Sequence, residues 1–336
     1  MQPLFYFWLH NLPEWTAWPE QIRMRLEREA KRQFLIEMRR REETRTLLEK
    51  LAEKGINVLL LKGAAMGALY YPQPGLRPCE DTDILIEEKD REGIEAVMKA
   101  LHFEIENKIE GEFVNSQFTW YREEESGILH SYDFHLKISN AQLFSKVFHF
   151  QELMRNAVRM PRLGPFALTL SPVEALLYSC MHRVAHHYDD EHAVWLYDIH
   201  LLAGQVDWQA FAELAREKRM RAVSLRGIRL AQKRFGTFLP ENFEILLEDF
   251  APEKTGEPAA AFLNEVKTPF GVLLSDLRAL RSWRDRAQLL REHLFPSVPY
   301  MKRKYTIKSN FSLPFFYGLR IAKAFRHLLP RRKSSR

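Results

Sequence analysis

The stretch CEDTDILIEE, residues 79–88, sets Asp81 and Asp83 one residue apart at the start of a run that reads as a β-strand. Side chains on a strand alternate, so the two carboxylates share one face while Thr82, Ile84 and Ile86 line the other. Two like charges this close repel and weaken a fold unless something positive stands between them. A second acidic strand repeats the design. In HSYDFHLKI, residues 130–138, Ser131, Asp133, His135 and Lys137 face one way and Tyr132, Phe134 and Leu136 the other. If the two strands are neighbours, three carboxylates converge. Mg²⁺ suits such an oxygen site, completed by water and substrate phosphates. Two ions roughly 3.5–4 Å apart would activate an attacking oxygen and steady a leaving one in phosphoryl or nucleotidyl transfer. The plainer reading is a wet strand end on which nothing depends.

The elements that must position these residues follow from periodicity. Residues 16 to about 55, rich in Arg and Glu, have apolar positions at three- and four-residue steps and no internal Pro or Gly after Pro19, which predicts one or two long helices ending at Gly55. INVLLLKG (56–63) reads as a buried strand, AAMGALYY (64–71) as a helix and PQPGLRP (72–78) as a loop. After the D-x-D strand, DREGIEAVMKALHF is an amphipathic helix with Ile94, Val97, Met98 and Leu101 on one side. FEIEN, FTWYRE and GILHSYDFHLKI read as three strands, antiparallel because their connections are short. At Ser171 the texture changes: Ser171, Pro172 and Glu174 make a capping box with proline at the first helical position. From there to about residue 294 helical periodicity predominates, including NFEILLEDF (242–250) and GVLLSDLRALRSWRDRAQLLREHLF (271–295). The expected fold class is α+β. An N-terminal helical segment (1–56) precedes an α/β module with a mixed sheet (57–165), a mostly α-helical module (166–295) and a basic tail (296–336).

The run LLLKGAAMGALYYPQPGLRPCEDTDILI resembles the nucleotidyltransferase fold of the DNA polymerase β superfamily: a strand ending in Lys62-Gly63, a Pro/Gly loop, then D-x-D. More closely it resembles a bacterial family of uncharacterised nucleotidyltransferases, through LLLKG, YPQPGLR (71–77), DTDILI (81–86), DFH (133–135), CMHRVAHH (180–187) and WLYDIHLL (195–202). The resemblance spans roughly residues 20–300. It implies a polymerase β-like module in which Asp81, Asp83 and Asp133 bind Mg²⁺, with Asp133 on the ion that activates the acceptor hydroxyl. It implies an NTP as substrate, an unidentified hydroxyl-type acceptor and release of pyrophosphate. The backbone at Gly63 would approach the triphosphate, since a residue without Cβ lets phosphate oxygens reach the amides. Lys62 and Arg77 are phosphate partners in this reading and ordinary surface cations in the plainer one. The superfamily's Gly-Ser pair reads Gly63-Ala64 here. A phosphotransferase using the same cleft, or a non-catalytic protein that retained the fold, are the rival expectations.

His182 and His186 are four apart on the capped helix and therefore share a face. Arg183 stands where a zinc protease would need Glu, so H-E-x-x-H is absent. With Asp198 they either orient substrate or satisfy one another's hydrogen bonds; His135 either tunes Asp133 and touches nucleotide or is a wet strand position. No G-x-x-x-x-G-K-[ST], G-x-G-x-x-G or G-x-S-x-G occurs, which argues against ATPase, Rossmann dehydrogenase and serine hydrolase chemistry.

The formal net charge of +6 over 336 residues is unevenly placed. Residues 296–336 hold 11 Lys/Arg and no Asp/Glu, leaving 39 basic against 44 acidic side chains before them. The body is mildly acidic, so a broad nucleic-acid surface is not supported and only the tail raises that question. Its predicted helix, from about Pro314 to Leu329, puts Arg320, Lys323 and His327 on one arc, with Arg326 at its edge, and Ile321, Phe325, Leu328 and Leu329 on the other side. Peripheral membrane contact, docking on a protein surface and simple solvation stay open for it. Cys79 and Cys180 lie far apart without metal-type spacing, and no apolar run approaches the roughly 20 residues needed to span a bilayer. The expected location is cytoplasmic, with the tail raising attachment at the inner membrane face.

Overall fold

Leu59 and Leu60 form β1 (Leu59–Leu60) and point to opposite faces of the sheet, each into its own apolar core. The computed structural model describes residues 2–73, 75–106, 111–187, 189–241, 243, 250–251, 256–263, 269–307 and 309–328, with backbone alone at 269–270 and 324–328. The run predicted as one strand through Gly63 stops early. Lys62 takes a positive φ of 48°, turning the chain directly into α3 (Lys62–Leu69). That left-handed conformation is uncommon for a residue with a Cβ.

The other strands are β2 (Thr82–Leu85), β3 (Glu104–Ile105), β4 (Gln117–Glu123), β5 (Leu129–His135), β6 (Val158–Arg159) and β7 (Leu168–Thr169). They form one mixed sheet in the order β3-β4-β5-β2-β1-β7-β6. The three strands expected to be antiparallel are β3, β4 and β5, and they pair so. β2 lies parallel to β5 and antiparallel to β1. The two-residue strands β6 and β7 were invisible to periodicity, which needs four or more residues to register. β7 pairs with β1, so the sheet extends past residue 165 into the stretch expected to be helical.

Helices cover both faces. α1 (Gln2–Leu9) packs on α2 (Glu20–Glu53), a single 34-residue helix. α2 contributes Leu47, Leu48 and Leu51, and α4 (Arg91–Ala100) contributes Ile94, Val97 and Met98, to a core shared with Ile84, Ile86, Tyr132 and Phe134. On the opposite face Leu59, Leu61 and Leu85 join the core of α6 (Pro172–His187), α7 (Ala193–Ala203), α8 (Trp208–Glu217) and α9 (Arg221–Phe235). The short α5 (Phe150–Arg155) adds Leu153 to the same core. The capping box forms: Ser171 N–H donates to Glu174 at 3.2 Å and Glu174 N–H donates to Ser171 Oγ at 3.4 Å.

The predicted helix at 242–250 lies largely outside the described residues. The run at 271–295 is two helices, α10 (Pro269–Ala279) and α11 (Trp283–Leu294), because Ser282 caps the second by accepting from Arg284 N–H. These helices clasp the loop before β4. Glu292 accepts from the backbone N–H groups of Glu112, Phe113 and Val114, and Asp276 accepts from Gln142 N–H at 2.7 Å. Burial, partly offset by the Gln142 hydrogen bond, pushes the Asp276 carboxyl up to about 6. The folded state therefore holds that proton more tightly than the unfolded chain, and stability falls as pH rises from about 4 to about 6. Asp276→Asn, which keeps the acceptor oxygen, should flatten the urea-midpoint profile in that window by on the order of 2–3 kcal/mol; an unchanged profile would place the titration elsewhere.

The tail helix runs Leu313–Leu328 (α13), after α12 (Val298–Lys304), and both pack on the chain's own residues. The described residues end at 328, so Leu329 and the final cations lie outside them, as do the side chains of Phe325, Arg326, His327 and Leu328. Among the described residues no helix is long and apolar enough to cross a membrane.

Candidate nucleotide site

The pairing of β2 with β5 sets Asp83 directly opposite Asp133, and Leu85 opposite His135. Their apolar neighbours Ile84, Tyr132 and Phe134 are buried under α2 and α4, so register alone aims the acidic side chains at the other face. There the strand ends are polar and α6 stands off, leaving a cavity of about 810 Å³ between the sheet, the start of α3, the middle of α2 and the α6–α7 corner.

Asp83 and Asp133 are 6% and 7% exposed, a degree of burial that demands partners. Lys62 Nζ donates to Asp83 Oδ1 at 2.6 Å, and His135 Nε2 meets the same oxygen at 2.7 Å. Asp133 is held from β4 by the Thr119 hydroxyl and by Gln117 Nε2 at 3.2 Å. Burial alone would raise the Asp83 carboxyl, but the Lys62 charge and the His135 hydrogen bond outweigh it and hold Asp83 well below the usual carboxylate range. Burial would likewise lower Lys62; the surrounding anionic groups, Asp83 and Asp81 among them, reverse that and keep its ammonium charged. Asp81 is placed differently. It precedes β2 at the mouth of the cleft and is exposed. Partial enclosure and the like charges of Asp83 and Asp133 push its carboxyl up.

Among the described residues, the group close enough to share a cation is Asp83, Asp133 and His135, each offering one ligand atom within 4.8 Å of the others. The donor set fits a divalent ion. Two register-paired carboxylates repel each other and Asp81, and a cation between them would relieve that repulsion.

Gly63 lines the cavity at the first turn of α3. A Cβ there would collide with Cys79 Sγ and press on Arg77 Nη1 at 3.2 Å. Gly63→Ala should therefore cost about 1–3 kcal/mol by overpacking, and Cys79→Ala in the same chain should recover much of it. Thermal melts of the single and double variants test this; an unshifted Gly63→Ala melt would show that the corner gives way. Burial pushes the Cys79 thiol up to about 12, so it is no nucleophile at neutral pH.

Arg77 lines the cavity and is ion-paired. Its guanidinium grips Asp198 of α7 with Nε at 3.1 Å from both carboxylate oxygens and Nη2 at 2.9 Å from Oδ2, while Tyr71 O–H donates to Asp198 Oδ1 at 2.8 Å. The pair welds the proline loop to the helical module under the cavity floor.

His182 and His186 stack at 4.8 Å on α6 and face the acidic strands across the cleft. His186 Nε2 meets Ser139 Oγ at 2.9 Å; His182 Nε2 meets His187 Nε2 at 3.1 Å. Burial, with Lys62 nearby, pushes His186 down to about 3 and His182 well below its ordinary value, so both are neutral imidazoles. His187 stacks on Trp195 at 3.8 Å, giving the wall a flat aromatic surface. Sequence reasoning passed over Gln117 and Thr119. Their signal was present: in QFTWYRE they alternate with Phe118 and Trp120, which belong to the buried face.

A mixed sheet that brings two buried aspartates into register beside a glycine-led turn defines a nucleotidyltransferase-like protein. The chain belongs to the family described as uncharacterised nucleotidyltransferase, whose model matches residues 1–236. Among solved structures it is similar to an antigenic nucleotidyltransferase-like protein from Paracoccidioides brasiliensis, at 15% identity and a TM-score of 0.36, over 56% of this chain and 92% of that one. No curated protein matches it.

Proposed function

We propose that the cleft transfers a nucleoside monophosphate from an NTP to a hydroxyl-type acceptor. The observation that carries this reading is the register pairing of Asp83 with Asp133, buried and facing a cavity large enough for a nucleotide. Asp83 and Asp133, with Asp81 at the mouth, would hold Mg²⁺, which when bound neutralises phosphate charge and favours ionisation of the acceptor hydroxyl. The protein's own groups do the rest. Lys62 places a fixed ammonium beside the carboxylates, where it meets phosphate oxygens. Thr119 and Gln117 hold the Asp133 carboxylate in one orientation. The acceptor hydroxyl gives its proton to a carboxylate of the cleft, and its oxygen bonds to the α-phosphorus. The bond to the bridging oxygen of the β-phosphate breaks, and pyrophosphate carries that electron pair away. The stacked His187–Trp195 surface offers a platform for a nucleobase or an aromatic acceptor.

A second reading has its own observation. Lys62 and His135 already satisfy one Asp83 oxygen, so that carboxylate is partnered without a metal, as in a non-catalytic binding site. Thermal melts with each of the four NTPs, with and without Mg²⁺, separate the two. A nucleotide at 100 times its Kd should stabilise by about 2.7 kcal/mol. A shift that needs Mg²⁺ supports transfer chemistry and identifies the base. An equal shift without the metal favours the binding protein, and no shift with any NTP overturns a nucleotide site.

A further inference from the structure

The exposed face of the C-terminal helix is apolar. Phe311, just before α13, is 97% exposed and Phe315 69% exposed. Pro314, Gly318 and Ala322 are exposed as well. Positions 311, 314, 315, 318 and 322 follow helical spacing and make one stripe with no charged residue on it. The helix is anchored from behind: Arg320 Nε donates to His293 O at 2.9 Å, Tyr317 O–H donates to Pro296 O at 2.7 Å, and Phe316 packs against Tyr305. The stripe is thus held outward and cannot turn into the core.

Exposed cations lie on α12 and α13. Arg303 and Lys304 lie at the end of α12, and Lys323 on α13 sits over the Tyr305 ring. Residues 296–336 contain no acidic residue to oppose them. Exposed phenylalanines on a cation-rich segment without acidic residues match an anionic lipid surface, where rings enter the acyl boundary and cations meet phosphates. A single-stranded nucleic acid would stack bases on Phe311 and Phe315, but Pro314, Gly318 and Ala322 give it no further ring to stack on. The exposed aromatics of α1, Phe5 and Trp8, have no cation on that helix and lack this match. We infer that α12 and α13 form a peripheral docking surface for an anionic lipid bilayer.

The test is flotation of the full chain with vesicles of phosphatidylcholine alone or mixed with phosphatidylglycerol. Binding to the anionic vesicles only, weakened by salt, is expected. Each cation near such a surface is worth roughly fivefold in partition, so Arg303→Gln, Lys304→Gln and Lys323→Gln together should lower binding on the order of a hundredfold. Phe311→Ser with Phe315→Ser should abolish it. Because Phe311 is in solvent and Phe315, mostly exposed, meets the protein at the edge of Phe316, the thermal melt should move little. No flotation with anionic vesicles, equal binding to neutral ones, or binding that survives both sets of substitutions would each overturn the inference. NTP-induced stabilisation, read separately in all variants, distinguishes this outcome from failure of the nucleotide site.

Discussion

Asp83→Asn should remove Mg²⁺-dependent nucleotide stabilisation and lower any transfer rate by on the order of 10²–10³-fold or more, the loss expected when a preorganised charge at a reacting phosphate is removed. Asparagine keeps an oxygen for Lys62 and His135, so the fold should persist. Asp83→Ala is harsher. It strands the Lys62 ammonium, whose side chain is 22% exposed, and should destabilise by about 3 kcal/mol, the low end for a broken buried pair because water reaches one partner. Asp133→Asn should match Asp83→Asn in its loss of metal-linked binding. The pH dependence follows from the lowered Asp83 carboxyl: its stabilising contribution is complete above the ordinary value of 3.8 and is lost as pH falls below it. Acid denaturation followed by circular dichroism should therefore be less steep in Asp83→Asn. Retained Mg²⁺-dependent binding in both asparagine variants would remove the carboxylates from the mechanism.

Asp198→Asn or Arg77→Met should each destabilise by about 3–5 kcal/mol, since each leaves a buried charge without its partner. Side-chain exposure is 10% for Arg77 and 7% for Asp198, and the contact is bidentate. In melting temperature this is a fall of about 4–7 °C for a chain this long. The double variant Arg77→Met/Asp198→Leu should recover most of the loss, because apolar groups of similar volume remove both desolvation costs together. If Arg77→Met instead left the melt unchanged and weakened only NTP binding, Arg77 would act as a phosphate ligand.

The two predictions divide the candidate residues by what surrounds them. Sequence spacing listed Arg77 and Asp198 beside Asp83 and Asp133 as chemistry-bearing groups. All but Asp198 line the cavity, and Arg77 is set apart from the aspartates by its bidentate ion pair with Asp198.

Alternation was legible in the chain before any coordinates. Tyr132, Phe134, Ile84 and Ile86 had to share a buried face, which forced Asp83, Asp133 and His135 onto the other. The capping box at Ser171 and the long α2 helix were likewise local, written in neighbouring residues. The two-residue strands β6 and β7, the break at Ser282 and the turn at Lys62 were not, because elements that short are stabilised by distant partners rather than by their own pattern. Sequence determined which residues face the cleft. Only the tertiary structure decided that β2 adjoins β5 in register, that His135 rather than Asp81 completes the buried cluster, and that Lys62 stands among them. Those outcomes depend on contacts between residues 21 to 52 positions apart, and strand pairing across such separations is set by the energy of the whole core.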